Sequence, residues 1–169
     1  MADLQGFVMR FSTERDARRL EELQRGSWIP TVTPAGPYQP RRFFDHHRPD
    51  EVLVAERDVL PIGYIVVRRA SQMASHAHVA AIEGLGVAAD ARRRGVAGAL
   101  LHAAERAAAA RGFTRLTLHV LSCNVAALAL YARHGFETEG VLRGEFRLPV
   151  GPGGAMTSVD DILLAKRVA

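Results

Sequence analysis

The sequence predicts a single α/β domain built on a mixed, mostly antiparallel sheet of about seven strands, with helices on both faces. Three observations lead there. Strand-like and helix-like segments follow one another in the order β-α-(loop/α)-β-β-β-α-β-α-β-β, with no internal repeat and no linker that would split the chain. The 169 residues, 48% hydrophobic and 24% charged, suit one sizeable core rather than a disordered chain. Residues 82–111 read as an apolar strand, a short basic turn bearing glycine, and a long amphipathic helix. Such a strand–turn–helix aims backbone N–H groups outward at a helix N-terminus and makes an anion site.

Each element has its own signal. Residues 7–11 alternate and read as the first strand. Ser12 or Thr13 can cap the next helix, and Glu14 and Asp16 sit in its first turn, where negative charge suits the helix dipole. Ala17, Leu20 and Leu23 give that helix an apolar stripe, and Gly26 and Trp28 mark its end. Pro30, Pro34, Pro37 and Pro40 then forbid a continuous helix. Pro40 suits the start of a short helix over 41–47, with Phe43 and Phe44 packed and the arginines facing water. This long connection reads equally as a plain lid and as a substrate-binding loop.

Residues 51–56 and 62–69 form a hairpin turned by 57–61, a polar loop covers 70–75, and 78–87 is the strand of the anion-site unit. The helix over 96–111 turns Ala97, Leu100, Leu101, Ala104 and Ala108 to one face, and Gly112 ends it. A strand at 114–120 precedes a helix at 124–134, whose Ala127, Leu130, Tyr131 and His134 share a face and whose stop is Gly135. Residues 137–148 are extended, 149–155 make a Pro/Gly turn, and 158–167 is the last strand.

Charge and composition exclude several classes. Net charge is +4 and the pI about 10.0, and of 22 basic residues only Lys166 is lysine. The arginines are scattered as Arg18-Arg19, Arg41-Arg42, Arg68-Arg69 and Arg92-Arg93-Arg94, which argues against nucleic acid and suits a polyanionic small molecule. No apolar run reaches the roughly 20 residues of a membrane span, and no signal peptide is visible, so a cytoplasmic location is expected. Cys123, the only cysteine, cannot form an internal disulfide. His46-His47 are adjacent, and His76 and His78 are expected on one strand face. Neither pair has carboxylates at a metal-ligand spacing, so no metal is expected.

Of two nucleotide motifs one is absent and one matches weakly, which leaves a dinucleotide-binding enzyme as the less favoured alternative. No Gly-Lys-Ser/Thr triplet exists. Gly84-Leu85-Gly86-Val87-Ala88-Ala89 matches the dinucleotide pattern, but it lies inside a strand and lacks the acidic residue about 20 positions on. The basic turn is the better anion site. Gly95 permits close backbone approach, the amides of 94–97 supply donors, and the helix starting at Val96 adds a partial positive charge. Taken alone, Arg92-Arg93-Arg94 reads equally well as a solvated surface turn.

Arg92-x-x-Gly95-x-Ala97 resembles the acetyl-CoA signature Gln/Arg-x-x-Gly-x-Gly/Ala of the GNAT N-acetyltransferase superfamily, Ala97 being an accepted variant. Asn124-x-x-Ala127-x-x-Leu130-Tyr131-x-x-x-Gly135-Phe136 resembles that family's second hallmark, in the right order after a helix and a strand. The resemblance covers most of 51–166. It implies a splayed strand pair that holds acetyl-CoA, and direct transfer of the acetyl group, in a ternary complex, to a primary amine. The acceptor is a small-molecule amine or a protein or peptide N-terminus. Leu85, Gly86 and Val87 are then expected along the acetyl and pantetheine arm, with Asn124 and Ala127 beside it. Arg92, Arg93, Arg94 and Gly95, followed by Val96, Ala97 and Gly98, are expected around the pyrophosphate.

Tyr131 matches the general acid that protonates the departing thiolate; a phenol titrates near about 10, so it can donate at neutral pH. For the base two residues remain open. Glu83 is expected to share side-chain parity with Leu85 and Val87, and His119 lies on the following strand. They could also serve as a water-linked pair. Trp28, Tyr38, Phe43 and Phe44, with the 149–155 turn, are expected to line the acceptor site. Relatives commonly form homodimers. The rival class is a non-catalytic acyl-CoA-binding module, against which Tyr131 and the candidate bases argue.

Overall fold

Alternation along the central strands forces a covered sheet. In the computed structural model, which describes residues 6–33, 39–149 and 152–168, Val52, Val54, Tyr64 and Val66 are buried on one face. Their neighbours Leu53, Ala55, Ile65 and Val67 are buried on the other. A strand that is apolar on both sides needs a layer on each. Helix α1 (Ala17–Ser27) supplies one, setting Leu20 and Leu23 beside Phe43 against the first face. Helix α2 (Val96–Ala110) supplies the other with Leu100, Leu101, Ala104 and Ala108. Leu100 and Leu20 are fully buried, so truncating either to alanine costs about 2–5 kcal/mol.

The strands are β1 (Val8–Phe11), β2 (Val52–Arg57), β3 (Leu60–Arg69), β4 (Val79–Val87), β5 (Arg115–Leu121), β6 (Glu137–Leu148) and β7 (Thr157–Arg167). They form one seven-stranded sheet in the order β1-β2-β3-β4-β5-β7-β6. Only β4 and β5 run parallel, joined by the α2 crossover, while every other neighbouring pair is antiparallel. Helix α3 (Val125–Arg133) follows β5. This is the expected α/β architecture, and no helix among the described residues is long and apolar enough to cross a membrane.

Two features of the sheet position the site. The β4–β5 ladder covers only Val79↔Arg115 to Ala81↔Thr117, although both strands run on. Beyond that point they splay. A bulge also interrupts the β3–β4 register: Val66 pairs with Gly84 and Val67 with Ile82, which leaves Glu83 without an opposite residue. The extra residue overturns the expected parity. Ile82, Leu85 and Val87 face the α2 side, so Glu83 is not in step with Leu85 and Val87.

Other expectations shift more modestly. The helix expected over 41–47 is a single 3₁₀ turn, Phe43–Asp45. The β2–β3 hairpin turns through Asp58 and Val59, both at positive φ, as a tight hairpin requires. His76 ends a 3₁₀ turn and His78 precedes β4, so they share no strand face, although their rings lie 6.1 Å apart. Beside β1, Arg10 clamps Asp16 (Nη1 to Oδ2, 2.8 Å) and Glu56, fixing the entry to α1. The guanidinium holds the Asp16 carboxyl below the usual carboxylate range.

Candidate active site

The turn between β4 and α2 is shaped by two left-handed residues, Arg93 (φ 61°) and Gly95 (φ 81°). Glycine takes that conformation without the Cβ clash that arginine must accept. Gly95 is also the N-cap of α2, so the first free amides of the helix open beside it. Together the turn and the helix end make a concave anion cradle. Arg92 braces it. Its Nε donates to the Val87 carbonyl and its Nη2 to the Gly26 carbonyl, both at 3.0 Å, tying the turn to β4 and to α1. The sequence expects this arginine at the phosphates; two of its five N–H donors engage backbone carbonyls, and its side chain also lines the cavity over the cradle.

A cavity of about 520 Å³ lies over the cradle. Val87, Arg92, Arg93, Gly95, Val96, Ala97 and Gly98 line one side, and Ala126, Leu130, Arg133 and His134 the other. A second cavity, about 440 Å³, fills the splay between β4 and β5. Leu130 of α3 borders both, so the two adjoin along one helix. Leu85, Asn124, Ala127 and Tyr131, the residues expected along the pantetheine arm and at the reacting thioester, line the second cavity together.

Gly86 and Arg94 line neither cavity. A Cβ at Gly86 would stand 2.5 Å from Tyr64 Cε1 and 2.7 Å from Ser27 Oγ. Gly86 therefore lets the Tyr64 ring and α1 approach β4. Asn124 has a structural duty too: its Oδ1 accepts from the Ala127 amide at 3.2 Å and caps α3.

Tyr131 is 7% exposed and packs edge-to-face on Phe136, with ring centroids 5.5 Å apart. Burial pushes its phenol up to about 12, so it is a proton donor throughout the physiological range. On the opposite wall stand the two candidate bases, both at the cavity. Glu83 Oε1 sits 2.7 Å from Arg68 Nε in an ion pair. His119 Nδ1 lies 2.7 Å from Asp161 Oδ2. The His119 side chain is 57% exposed and that of Asp161 only 10%, so a buried carboxylate holds an accessible imidazole.

Asp161 is the site residue that sequence reasoning missed. It lies 42 positions from His119 and is brought beside it by the antiparallel β5–β7 pairing, His119↔Leu163 and Leu121↔Asp161. Of the four expected acceptor-site aromatics, Trp28 lines the cavity, next to Val32, Thr33 and Phe146. Phe43 is 2% exposed and packs edge to face on Tyr64, with centroids 5.3 Å apart, so it belongs to the core under α1 and not to a binding wall. Phe44 packs against that same cluster, half-buried. Tyr38 lies outside the described residues, as does part of the 149–155 turn.

Comparison with known proteins agrees with this fold. The family model described as Acetyltransferase (GNAT) family matches residues 17–136. No curated protein matches the chain. Among solved structures, a protein of Streptococcus mutans UA159 superposes with a TM-score of 0.78 at 22% identity, covering 96% of this chain and 99% of that one. The ribosomal-protein-alanine N-acetyltransferase of Brucella melitensis gives 0.76 at 23%, covering 95% and 99%. A phosphinothricin acetyltransferase of Sinorhizobium meliloti, in complex with AcCoA, gives 0.78 at 17%, covering 97% and 89%. At these identities the structural likeness establishes the fold.

Proposed function

The chain belongs to the GNAT acetyltransferase family, whose cosubstrate is acetyl-CoA, and from that premise we propose that it acetylates the nitrogen of a primary amine by direct transfer within a ternary complex. One observation carries the reading: the opening between β4 and β5 is lined by a buried phenol from α3 on one side and by the His119–Asp161 pair on the other. An acid and a base thus face one cavity, which adjoins an anion cradle.

In this reading the pyrophosphate rests on the amides after Arg93, and the pantetheine arm runs past Leu85 and Val87 into the splay. The unladdered edge of β4 offers main-chain partners to the arm, as an added strand would use them. The acceptor arrives as an ammonium and must lose a proton before it can attack. With Asp161 ionised and accepting from Nδ1–H, the lone pair of neutral His119 lies on Nε2, which takes that proton. The amine nitrogen then forms a bond to the thioester carbonyl carbon. The C–S bond breaks, and the sulfur takes its proton from the Tyr131 hydroxyl. The second proton on nitrogen passes to solvent, and solvent restores the phenol. Glu83 is the second base candidate, its Oε1 engaged by Arg68 Nε at 2.7 Å.

The acceptor is a small-molecule amine or a peptide N-terminus. Trp28, Val32 and Phe146 favour an apolar portion beside the reacting nitrogen. The test is thiol release from acetyl-CoA across a panel of amines that includes amino acids, phosphinothricin, polyamines and alanine-starting peptides. At least one class is expected to raise thiol release well above hydrolysis. A thermal shift with acetyl-CoA but no turnover on any amine would favour the non-catalytic acyl-CoA module instead.

A further inference from the structure

A second constellation lies at the C-terminal end of α3, where His134 also lines the cavity over the cradle, and the acetyl-transfer reading gives its side chains no chemical role. His102 and Glu105 stand on one face of α2, and His134 caps the C-terminal end of α3. One ligand atom from each, two imidazole nitrogens and a carboxylate oxygen, lie within 4.8 Å of one another. We propose that His102, Glu105 and His134 bind a divalent first-row transition ion, zinc above all, with the fourth position open to water.

The donor set is one that zinc accepts: two imidazoles and one carboxylate, leaving a tetrahedral vertex for solvent. Ligand atoms around tetrahedral zinc stand roughly 3.3–3.4 Å apart at bond lengths of about 2.0–2.1 Å, so the site must contract by about an ångström. His102 can supply that movement, because its side chain is 59% exposed. The other two ligands are already set. Glu105 is 18% exposed, and its Oε1 forms an ion pair with Lys166 Nζ at 2.8 Å without hydrogen-bond geometry, while Oε2 is on the His102 side, 3.9 Å from Nδ1. A ligating carboxylate is commonly braced in this way through its second oxygen. Lys166 also donates to the His134 carbonyl at 2.7 Å, so one ammonium anchors both ligand residues.

Gly98 completes the setting. A Cβ there would meet His134 Nε2 at 2.9 Å, so the absence of a side chain in the middle of α2 admits the ring. A glycine inside a helix costs up to about 1 kcal/mol against alanine, and here it seats an imidazole beside a second one. The His102 and His134 rings meet edge to face, with centroids 4.9 Å apart. The ion would therefore pin the end of α3 to α2. The sequence alone does not suggest it, since His134 lies 29 positions beyond Glu105 and reads there as one residue of an amphipathic stripe.

Untagged protein, freed of metal by chelation and dialysis, is titrated with Zn²⁺ by calorimetry and with Co²⁺ by visible absorption. A single saturable equivalent per chain is expected, with the intense visible bands of four-coordinate Co²⁺. Tm is expected to rise by roughly 5–10 °C at zinc about a hundred-fold above the dissociation constant. His102→Ala removes an exposed ligand without disturbing the core and is expected to abolish the bands and the Tm shift. The double variant His76→Ala/His78→Ala is expected to keep both. Absence of saturable uptake, bands that persist in His102→Ala, or bands lost in the His76/His78 variant would each overturn the site.

Discussion

The two ends of the cleft are built in different ways. The anion cradle is made mainly of main chain: left-handed Arg93 and Gly95 and the free amides that open α2, braced by two hydrogen bonds from Arg92 to backbone carbonyls. The reaction wall is made of side chains, Tyr131 from α3 and His119 held by Asp161 across two strands. The cradle spans a few consecutive residues, so a short motif can encode it. The wall is assembled from groups far apart in the chain. Binding and chemistry should therefore fail separately when either end is altered.

The largest separation is expected from Tyr131→Phe. Loss of the acid should lower kcat by on the order of 10²-fold or more, with the acetyl-CoA thermal shift retained. Unchanged kcat would remove Tyr131 from the chemistry. The same variant tests the burial of the phenol. The wild-type hydroxyl stays protonated to about pH 12 when folded but ionises near about 10 when unfolded. Its stabilising contribution is thus complete below pH 10 and fades as pH rises towards 12. Denaturant titrations should show wild type losing up to about 3 kcal/mol more than Tyr131→Phe over that window.

Next come the bases. His119→Ala should lower kcat/KM and erase the acidic limb of its pH profile. Asp161→Asn keeps the imidazole but no longer orients it, and should cost roughly 10-fold or more in kcat with KM for acetyl-CoA little changed. Glu83→Gln is expected to leave the acidic limb in place; a lost limb in that variant alone would transfer the base role to Glu83.

The cradle is the milder target. A valine at 95 must adopt φ near 81°, at a cost of about 1–3 kcal/mol. Gly95→Val should raise KM for acetyl-CoA about tenfold or more and leave kcat at saturation close to wild type. A drop in kcat of equal size would mean that the two ends are not independent.

Much of the fold was legible because it is local. Strand and helix periodicity marked β6 to the residue and α2 to within one. The proline-rich connection was harder. Phe43 and Trp28 are both aromatics near a proline cluster, and only packing sends one into the core and the other to the cavity. The Glu83 parity failed for a similar reason. A bulge adds one residue to the β3–β4 pairing at Glu83, beside Gly84, and the alternation of the strand does not show which residue is the extra one.

The sequence by itself determined the order of elements, the basic turn at 92–97, and the helix that bears Asn124 and Tyr131. Each rests on spacings of a few residues, where backbone periodicity decides what faces what. Tertiary structure alone decided which histidine has a carboxylate behind it, which glutamate is engaged by an arginine, and that His134 meets His102 and Glu105. Those contacts join residues on separate strands and helices, and the register of β7 on β5 and the packing of α3 beside α2 set their distances.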